Sequence, residues 1–446
     1  MKLQLINIRD AVVDTFWFLP ALMALLAAGA ALATIAIDSA VGDAWLRDTS
    51  WVWLGGPEGA RSVLSVIAGS IMTVVSIVFS LTVTTLAQTS SHYGPRVLRN
   101  FTADRGVQFT LGTFIATFIY CLMVLRTVRS IENSFVPYIS VNIGMLLALV
   151  SMAVLIYFIH HISQNIQAEN LIANVGEQFL ESLPVLFPEG IGRPSDNTCS
   201  EQLPDDSQWQ AAYIVLSAAT GYVQVVDDEQ LIQLATQHDL MLQLARRPGD
   251  FVTTTSTLLR VLPRAHINPD IELQLRDCFS LGVHCTPHQD AKYMMQQMVE
   301  IAAHALSTGI NEPFTALACI DWIGASLCGV ARRELPKALR QDEHGRLRVI
   351  ACTLDFEELT DTAFDQIRLY GARNPDVMLH LLKTIGDIAS DVRRDSDRNA
   401  LVRHAQLVGE DASQIVNLTD RRRVADRLQE TLMTLVQSLR NEHEIT

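Results

Sequence analysis

The chain has 446 residues, which exceeds what one hydrophobic core usually organises, so we expect at least two structural units. Hydrophobic residues make up 49% and charged residues 18%, a mixture typical of membrane proteins. Residues 1–160 are nearly neutral, whereas the rest of the chain holds 25 of the 34 basic and 40 of the 48 acidic residues. This acidic remainder argues against a nucleic-acid partner, whose phosphates require a basic surface.

Four apolar segments within residues 1–160 are each long enough to cross the hydrocarbon core of a bilayer, so the lipid bilayer is an expected partner. The first segment is too long for the core of a signal peptide and has no convincing cleavage site, which predicts a retained span. Lysines and arginines narrowly favour the cytoplasmic side for both termini, and seven irregularly spaced cysteines indicate a reducing compartment. The predicted spans are about 15–37, 62–88, 107–125 and 136–159.

Small and hydroxyl-bearing residues recur along the second predicted span at intervals of three or four positions. This spacing places them on one side of an α-helix, which we call the hydroxyl face. Small residues let membrane helices pack closely within a bundle or an oligomer, whereas hydroxyl groups also suit a water-filled path for an ion or a small solute. Both alternatives assemble helices around the hydroxyl face, and we expect these helices to come from several copies of the chain in a homo-oligomer. The candidate residues of the hydroxyl face are Ser65, Gly69, Thr73, Ser76, Ser80, Thr84 and Gln88.

A short basic group follows the second span and consists of His92, Arg96 and Arg99. In a conducting oligomer these residues would lie at the inner mouth of the path, where the two arginines would favour anions. The alternative is that the arginines follow the general preference of basic residues for the cytoplasmic side of a membrane.

Beyond the membrane segments the pattern predicts a cytoplasmic α+β region. Residues 161–208 are expected to continue the helix of the fourth span without interruption as far as Pro184 and then to form a polar linker. Residues 209–263 contain short β-rich runs around one helix, typical of a small β-barrel or sandwich. The predicted runs are 212–216, 222–226, 241–245 and 258–262. Residues 264–446 show amphipathic helical periodicity. The predicted fold class is therefore membrane α-helical, with four transmembrane helices, plus this cytoplasmic α+β region.

The sequence has no motif of a common catalytic class. The nucleophile elbow, the zinc-protease helix motif, the P-loop and the Rossmann glycine run do not occur in it. Acidic groups at Asp227 and Asp355 precede predicted helices, where carboxylates stabilise the helix start. We therefore expect no catalytic residues, no enzyme activity and no bound cofactor.

One group of residues has the ligand types that zinc prefers, which are thiolate and imidazole. It consists of Cys278, His284, Cys285 and His288. Because the spacing lacks a paired Cys-x-x-Cys element, we favour the alternative interpretation, which is an exposed polar turn without a metal.

A second candidate is the segment 305–316, where Gly309 ends one predicted helix and a new helix begins. Asn311, Glu312 and Thr315 lie at this helix start. The segment is either a tight turn between two helices or a site for an anionic ligand or a protein partner, since exposed helix starts bind both.

Seven motifs along the chain carry a resemblance to a known protein family. The longest are SIVFSLTVTTLAQTSSHYGPRVLRNF at 76–101, D-R-G-x-Q-F-x-L-G-T-F-I-A-T-F-x-Y at 104–120 and ALSTGINEPFTA at 305–316. Shorter ones are TGYVQ at 220–224, RPGDFV at 247–252, TPHQD at 286–290 and DTAFDQI at 361–367. Together they resemble the bacterial proteins called the domain of unknown function 2254 family. The resemblance covers nearly the whole chain, implies an integral inner-membrane protein and supplies no catalytic residues. Glu312 departs from the family pattern, where Asp is expected, and keeps the charge.

Two functions from different classes fit these observations. In the first, an oligomer encloses a channel or permeation path lined by the hydroxyl face, and the cytoplasmic region gates or assembles it. In the second, the chain is a membrane-anchored sensor or scaffold whose cytoplasmic region binds a ligand or a protein, with no conduction. Burial of the hydroxyl face inside a closed bundle would exclude the first function.

Overall fold

The structure of the chain is a computed structural model that describes nine stretches of residues. These are 16–41, 56–94, 96, 104–129, 135–165, 167–187, 193–194, 203–287 and 289–443. The chain divides into two compact units, Met1–Asn170 and Leu171–Thr446, which we call the N-terminal unit and the C-terminal unit. Each unit has its own core.

The described residues of the N-terminal unit form four long helices, and each overlaps one predicted span. They are α1 (Phe18–Val41), α2 (Pro57–Tyr93), α3 (Arg105–Thr127) and α4 (Tyr138–Asn165). With 37 residues α2 is about 55 Å long, far more than the roughly 30 Å of a bilayer's hydrocarbon core. The prediction of an uninterrupted helix beyond the fourth span is wrong, because Gln167 is not helical and α5 (Ala168–Leu186) is a separate helix.

The central helix of the N-terminal unit is α3, which packs against α1, α2 and α4. More than half of its apolar segment is buried, compared with at most 28% in the other three helices. Gly112 makes the close contact with α1 possible: a Cβ atom there would lie 2.5 Å from Sδ of Met23 and 3.3 Å from Cα of Pro20. The absence of a side chain at this position therefore sets the distance between α1 and α3.

The β-structure of the C-terminal unit forms two sheets. The strands are β1 (Arg193–Pro194), β2 (Tyr213–Leu216), β3 (Gly221–Val226), β4 (Met241–Leu244), β5 (Phe251–Val252), β6 (Thr257–Leu262), β7 (Phe279–Gly282), β8 (Leu339–Gln341) and β9 (Leu347–Ile350). One sheet has the order β1-β8-β9-β4-β6-β2 and the other β5-β3-β7. All pairs are antiparallel except β4 with β9. Among the described residues neither sheet closes on itself, and both contain strands from outside the limits 209–263 that the sequence predicted for a barrel or sandwich.

Alternating apolar residues explain why these strands bury one face. Val215, Leu242 and Val261 are fully buried, and strand geometry turns every second side chain to the same side. Two short helices, α6 (Asp206–Gln210) and α7 (Asp228–Gln237), precede β2 and β4, and α7 adds Leu231 and Leu234 to the same core. Each fully buried Leu or Val contributes about 1.5–3 kcal/mol, so this cluster is the main source of stability for the sheets.

Helices make up the rest of the C-terminal unit. They are α8 (Pro269–Asp277), α9 (Ala291–Ala305), α10 (Pro313–Ala331), α11 (Phe356–Gly371), α12 (Pro375–Ala389), α13 (Asp395–Asp411) and α14 (Leu418–His443). α12 packs against α10, α11, α13 and α14. Carboxylate oxygens accept hydrogen bonds from backbone amides at the helix starts, as expected for Asp227 and Asp355, whose Oδ1 atoms lie 3.0 Å from Gln230 N and 2.7 Å from Glu358 N.

Five helices of the described chain are long and apolar enough to cross a membrane, whereas the sequence predicted four. The four predicted ones are α1 to α4, and the fifth is α10 in the C-terminal unit. Ile320, Ile323 and Leu327 of α10 are fully buried, and the helix packs against α9, α11 and α12. Length and hydropathy alone do not separate a membrane span from a helix at the centre of a protein core, because both environments are apolar.

Candidate functional site

The hydroxyl face of α2 lies on the outside of the single chain. All seven of its candidate residues are exposed, and a Cβ atom added at Gly69 would meet nothing within 4 Å. The buried residues of α2, which include Leu64, Ile71, Val78 and Thr82, lie on the opposite side of the helix, since each residue advances by about 100°. Among the described residues of one chain, the hydroxyl face is therefore not used for packing.

Three of the five hydroxyl groups of this face donate their protons to the helix backbone. Thr73 Oγ1 donates to Gly69 O at 3.2 Å, Ser76 Oγ to Met72 O at 3.0 Å, and Thr84 Oγ1 to Ser80 O at 2.9 Å. A hydroxyl oxygen that donates in this way still has lone pairs that can accept hydrogen bonds. The face can thus offer acceptors to water, to a cation or to a polar group of a neighbouring helix.

The predicted inner mouth is described only in part. His92 is exposed in the last turn of α2, which ends at Gly94 with a φ angle of 93°. Arg96 is also exposed, and Arg99 lies outside the described residues. His92 and Arg96 therefore lie at or just beyond the end of the helix that carries the hydroxyl face.

A second series of hydroxyl groups, which the sequence analysis missed, belongs to α3. Thr110, Thr113 and Thr117 are buried and have the same spacing of three or four residues. The hydroxyl groups of Thr117 and Ser151 in α4 lie 3.0 Å apart, and both residues are buried. The spacing was available in the sequence as a signal, but it does not distinguish a buried series from an exposed one.

Asp38 at the end of α1 is another residue that the sequence analysis did not select. It is 8% exposed, and its carboxylate accepts hydrogen bonds from Ile139 N and Ser140 N at 2.9 Å and from Ser140 Oγ at 2.6 Å. Tyr120 donates to Ser140 O at 3.2 Å and shares a hydrogen bond with Thr34. Asp38 therefore caps the start of α4 and joins it to α1, and Tyr120 joins α3 to the same two helices.

At the other end of α3, Asp104 has a comparable role. Its Oδ1 accepts a hydrogen bond from Gly106 N at 2.7 Å, and its Oδ2 lies 2.8 Å from Nε2 of His161 in α4. A Cβ atom at position 106 would lie 2.5 Å from the same His161 nitrogen. A carboxylate thus links two helices at both ends of the N-terminal unit.

Two of the shorter motifs meet in the C-terminal unit at the start of α9. Gly249 has a φ angle of 93°, and a Cβ atom there would lie 2.2 Å from Oδ2 of Asp290, the residue that caps α9. Burial raises the pKa of Asp290, and nearby Arg247 opposes this shift. Arg247 and Lys292 both bind Glu358, and their hydrogen bonds lower the pKa of its carboxyl group. The motifs at 247–252 and 286–290 therefore meet where Gly249 contacts Asp290, and a side chain at position 249 would prevent this contact.

Two glutamines connect β3 to the segment between β7 and the start of α9. Gln289 accepts from Val226 N at 2.9 Å and donates to Val226 O at 3.3 Å, so it binds the strand as another strand would. Gln224 donates to His284 O at 2.8 Å. The motifs at 220–224, 247–252 and 286–290 are thus brought together, and their contacts are structural.

The three candidate metal ligands that the structure describes, Cys278, His284 and Cys285, do not form a metal site. Cys278 is buried, its thiol donates to Gln274 O at 3.3 Å, and burial raises its pKa to about 12. His284 is exposed, Cys285 Sγ lies 4.0 Å from Gly249 O, and His288 lies outside the described residues. Within the part of the chain that the structure describes, no three His, Cys, Asp or Glu side chains are placed to hold a metal ion.

The segment 305–316 is an exposed turn between α9 and α10. Glu312 N donates to Ala305 O at 2.8 Å, Asn311 has a φ angle of 54°, and Thr315 Oγ1 lies 3.4 Å from Oε2 of Glu312. Asn311 and Glu312 are exposed, and Phe314 is 84% exposed. The turn therefore combines a compact backbone with an unusually exposed aromatic side chain.

Comparison with known proteins agrees with the motifs. A family model described as predicted membrane protein, domain of unknown function 2254, matches residues 13–387. Uncharacterized proteins of Mycobacterium bovis and Mycobacterium tuberculosis are 31% identical over 417 residues, which cover 91% of this chain and 78% of each relative. No solved structure matches the chain. The chain belongs to the domain of unknown function 2254 family of predicted membrane proteins.

Proposed function

We propose that several copies of this chain assemble in the membrane around the hydroxyl faces of their α2 helices, and that these faces line a permeation path for an ion or a small solute. The observation that carries the proposal is the exposure of the whole hydroxyl face, opposite the buried side of α2. The proposal involves no enzymatic step, no cofactor and no nucleic acid.

Contact with lipid chains is unfavourable for the hydroxyl face. Lipid chains offer no hydrogen-bond partners, so hydroxyl oxygens that face them keep unsatisfied lone pairs. A neighbouring copy of α2 or a column of water supplies those partners. The open space at Gly69 also lets another helix approach closely. Assembly around this face therefore removes a polar surface from lipid.

In the proposed assembly α1 to α4 cross the inner membrane, and both termini and the C-terminal unit lie in the cytoplasm. The fifth apolar helix, α10, then belongs to the core of the C-terminal unit, which its packing against α9, α11 and α12 supports. His92 and Arg96 lie at the inner mouth, and the C-terminal unit gates or assembles the path.

The test is the conductance of the purified full-length protein in planar lipid bilayers. We expect Ser80→Leu and Thr84→Leu to abolish the conductance, because each change places a larger apolar side chain on the hydroxyl face. Phe79→Leu is the matched control, since Phe79 is exposed beside Ser80 but lies off this face. An equal loss in the control, or a wild-type oligomer that is silent under voltage, tension and pH changes, would contradict the proposal.

A second function is favoured by the exposure of Phe314. A large aromatic side chain that projects into solvent is typical of the anchor residues at protein–protein contacts. In this alternative the chain is a membrane-anchored sensor or scaffold that does not conduct. Phe314→Ser would then abolish cross-linking to a protein partner in intact cells, whereas Leu369→Ser, an equally apolar change at a residue that is 59% exposed, would not.

A further inference from the structure

A groove runs along the surface of the N-terminal unit between α3 and α4. Its volume is about 560 Å³, and its wall is apolar for most of its length. Arg105 lies at the end where α3 begins, and the apolar wall is formed by Phe109, Val150, Ala153, Val154 and Tyr157. The groove thus combines one basic end with a long apolar body.

Arg105 has no acidic partner among the described residues. Its side chain is exposed. The adjacent carboxylate, Asp104, is engaged by the backbone of α3 and by His161. The open end of the groove therefore presents one cation without a matching anion.

The groove is short enough to lie within one leaflet of a bilayer. From Tyr157, the lining residue of α4 nearest to the basic end, to Val150 at the far end, α4 rises by about 10 Å. Half of a hydrocarbon core is roughly 15 Å thick. Tyr157, one turn inside the basic end, has the position that aromatic residues prefer at the boundary between headgroups and chains. If α3 and α4 cross the membrane, the basic end of the groove would lie near the headgroups, and its apolar wall would lie among the acyl chains of the same leaflet.

We propose that this groove binds one anionic phospholipid, with its phosphate at Arg105 and an acyl chain along the apolar wall. A cationic side chain at headgroup level attracts anionic lipids, and basic pockets between membrane helices bind them selectively. This site is separate from the hydroxyl face of α2 and does not depend on conduction.

Native mass spectrometry of the full-length protein with added phosphatidylglycerol or phosphatidylcholine tests the proposal. We expect the wild type to retain phosphatidylglycerol in preference, and Arg105→Ala to weaken its binding about fivefold. Arg126→Ala is the matched control, because Arg126 is exposed at the opposite end of the same helix. Equal weakening in both variants, or no preference between the lipids in the wild type, would overturn the proposal.

The apolar part of the groove is tested by filling it. Ala153→Trp should lower retention of the lipid, whereas Met152→Trp should not, since Met152 is 60% exposed on a neighbouring side of α4 and does not line the groove. Thermal melting of each variant in detergent checks that it is folded. If Ala153→Trp does not fold, the lipid retention of Arg105→Ala still tests the proposal. If Ala153→Trp changes the oligomeric mass but leaves lipid retention unchanged, the groove is a contact between copies and the lipid proposal is wrong.

Discussion

Helices α2 and α3 carry hydroxyl groups at the same helical spacing but turn them toward different surroundings. On α2 the series that includes Ser76 and Ser80 is exposed, whereas on α3 Thr110, Thr113 and Thr117 are buried. In both helices the hydroxyl protons bond to a carbonyl oxygen four residues earlier. The local chemistry is therefore the same, and the difference lies in the neighbours.

This difference shows what periodicity does and does not determine. Regular spacing ensures that residues share a side of a helix, but the packing of the other helices decides whether that side is covered. α3 is covered on most sides because α1 approaches it at Gly112 and because α2 and α4 pack beside it. One side of α2 contacts this bundle, and the other, which carries the hydroxyl face, is exposed.

The largest expected effect on stability comes from replacing a glycine by alanine in each of these two helices. Gly112→Ala forces Met23 and the backbone of Pro20 to move, so we expect a loss of stability of about 1–3 kcal/mol from overpacking. Gly69→Ala meets open space and should not destabilise the single chain, since alanine favours a helix by about 1 kcal/mol over glycine.

Thermal unfolding of both glycine variants in the same detergent measures this contrast. If Gly69→Ala destabilised the protein as much as Gly112→Ala, the view that α3 organises the unit and α2 lies at its edge would be wrong. A change in oligomeric mass for Gly69→Ala alone would instead strengthen the view that α2 meets a neighbouring copy.

A smaller effect is expected from the hydroxyl pair that joins α3 to α4. Thr117→Val and Ser151→Ala each remove one partner of a buried hydrogen bond, and a double-mutant cycle should give a coupling of about 0.6 kcal/mol, the average for such bonds in membranes. Ser80→Ala on α2 is the control and should leave the stability of the single chain unchanged. A coupling indistinguishable from zero would mean that the α3 hydroxyl groups are buried without holding the helices together.

Local elements of the fold could be predicted well from the sequence. The runs predicted around 212–216, 222–226, 241–245 and 258–262 correspond to β2, β3, β4 and β6 to within one residue at each end. Turn residues such as Gly249 and capping residues such as Asp227 mark these limits through their own backbone or nearest neighbours. Prediction succeeds here because the determining contacts are short in sequence.

Contacts between distant residues could not be predicted in the same way. Asp38 caps a helix that begins 100 residues later, and β9 pairs with β4 across more than 100 residues. The exposed Phe314 also gives no local signal, because an aromatic residue in an apolar helix is usually buried. The candidate site was found on α2 because its spacing is regular, whereas the two carboxylates that join the helices are single residues without a pattern.

Two histidines extend the comparison of exposed and buried groups to contacts between histidine and aspartate. His161 and His404 each place Nε2 2.8 Å from an aspartate oxygen, of Asp104 and Asp361 respectively. The side chain of His161 is 24% exposed and that of His404 is fully buried. Nδ1 of His404 has no hydrogen-bond partner among the described residues. Burial lowers the pKa of His404, and its hydrogen bond to the carboxylate of Asp361 offsets part of this shift.

The smallest expected effect is the pH dependence that follows from His404. The pKa of a histidine in the unfolded chain is about 6.5, and the pKa of His404 is lower than this in the folded chain. Its contribution to stability is therefore complete above pH 6.5 and is lost as the pH falls from 6.5 toward the lower pKa of the folded chain. Hydrogen exchange of α11 and α13, corrected for the intrinsic rate, should therefore show less protection at pH 5.5 than at pH 7.5. His404→Gln should remove this difference, and His161→Gln should retain it. If the decrease persists in His404→Gln, other groups cause it, and burial of this histidine has no measurable consequence for stability.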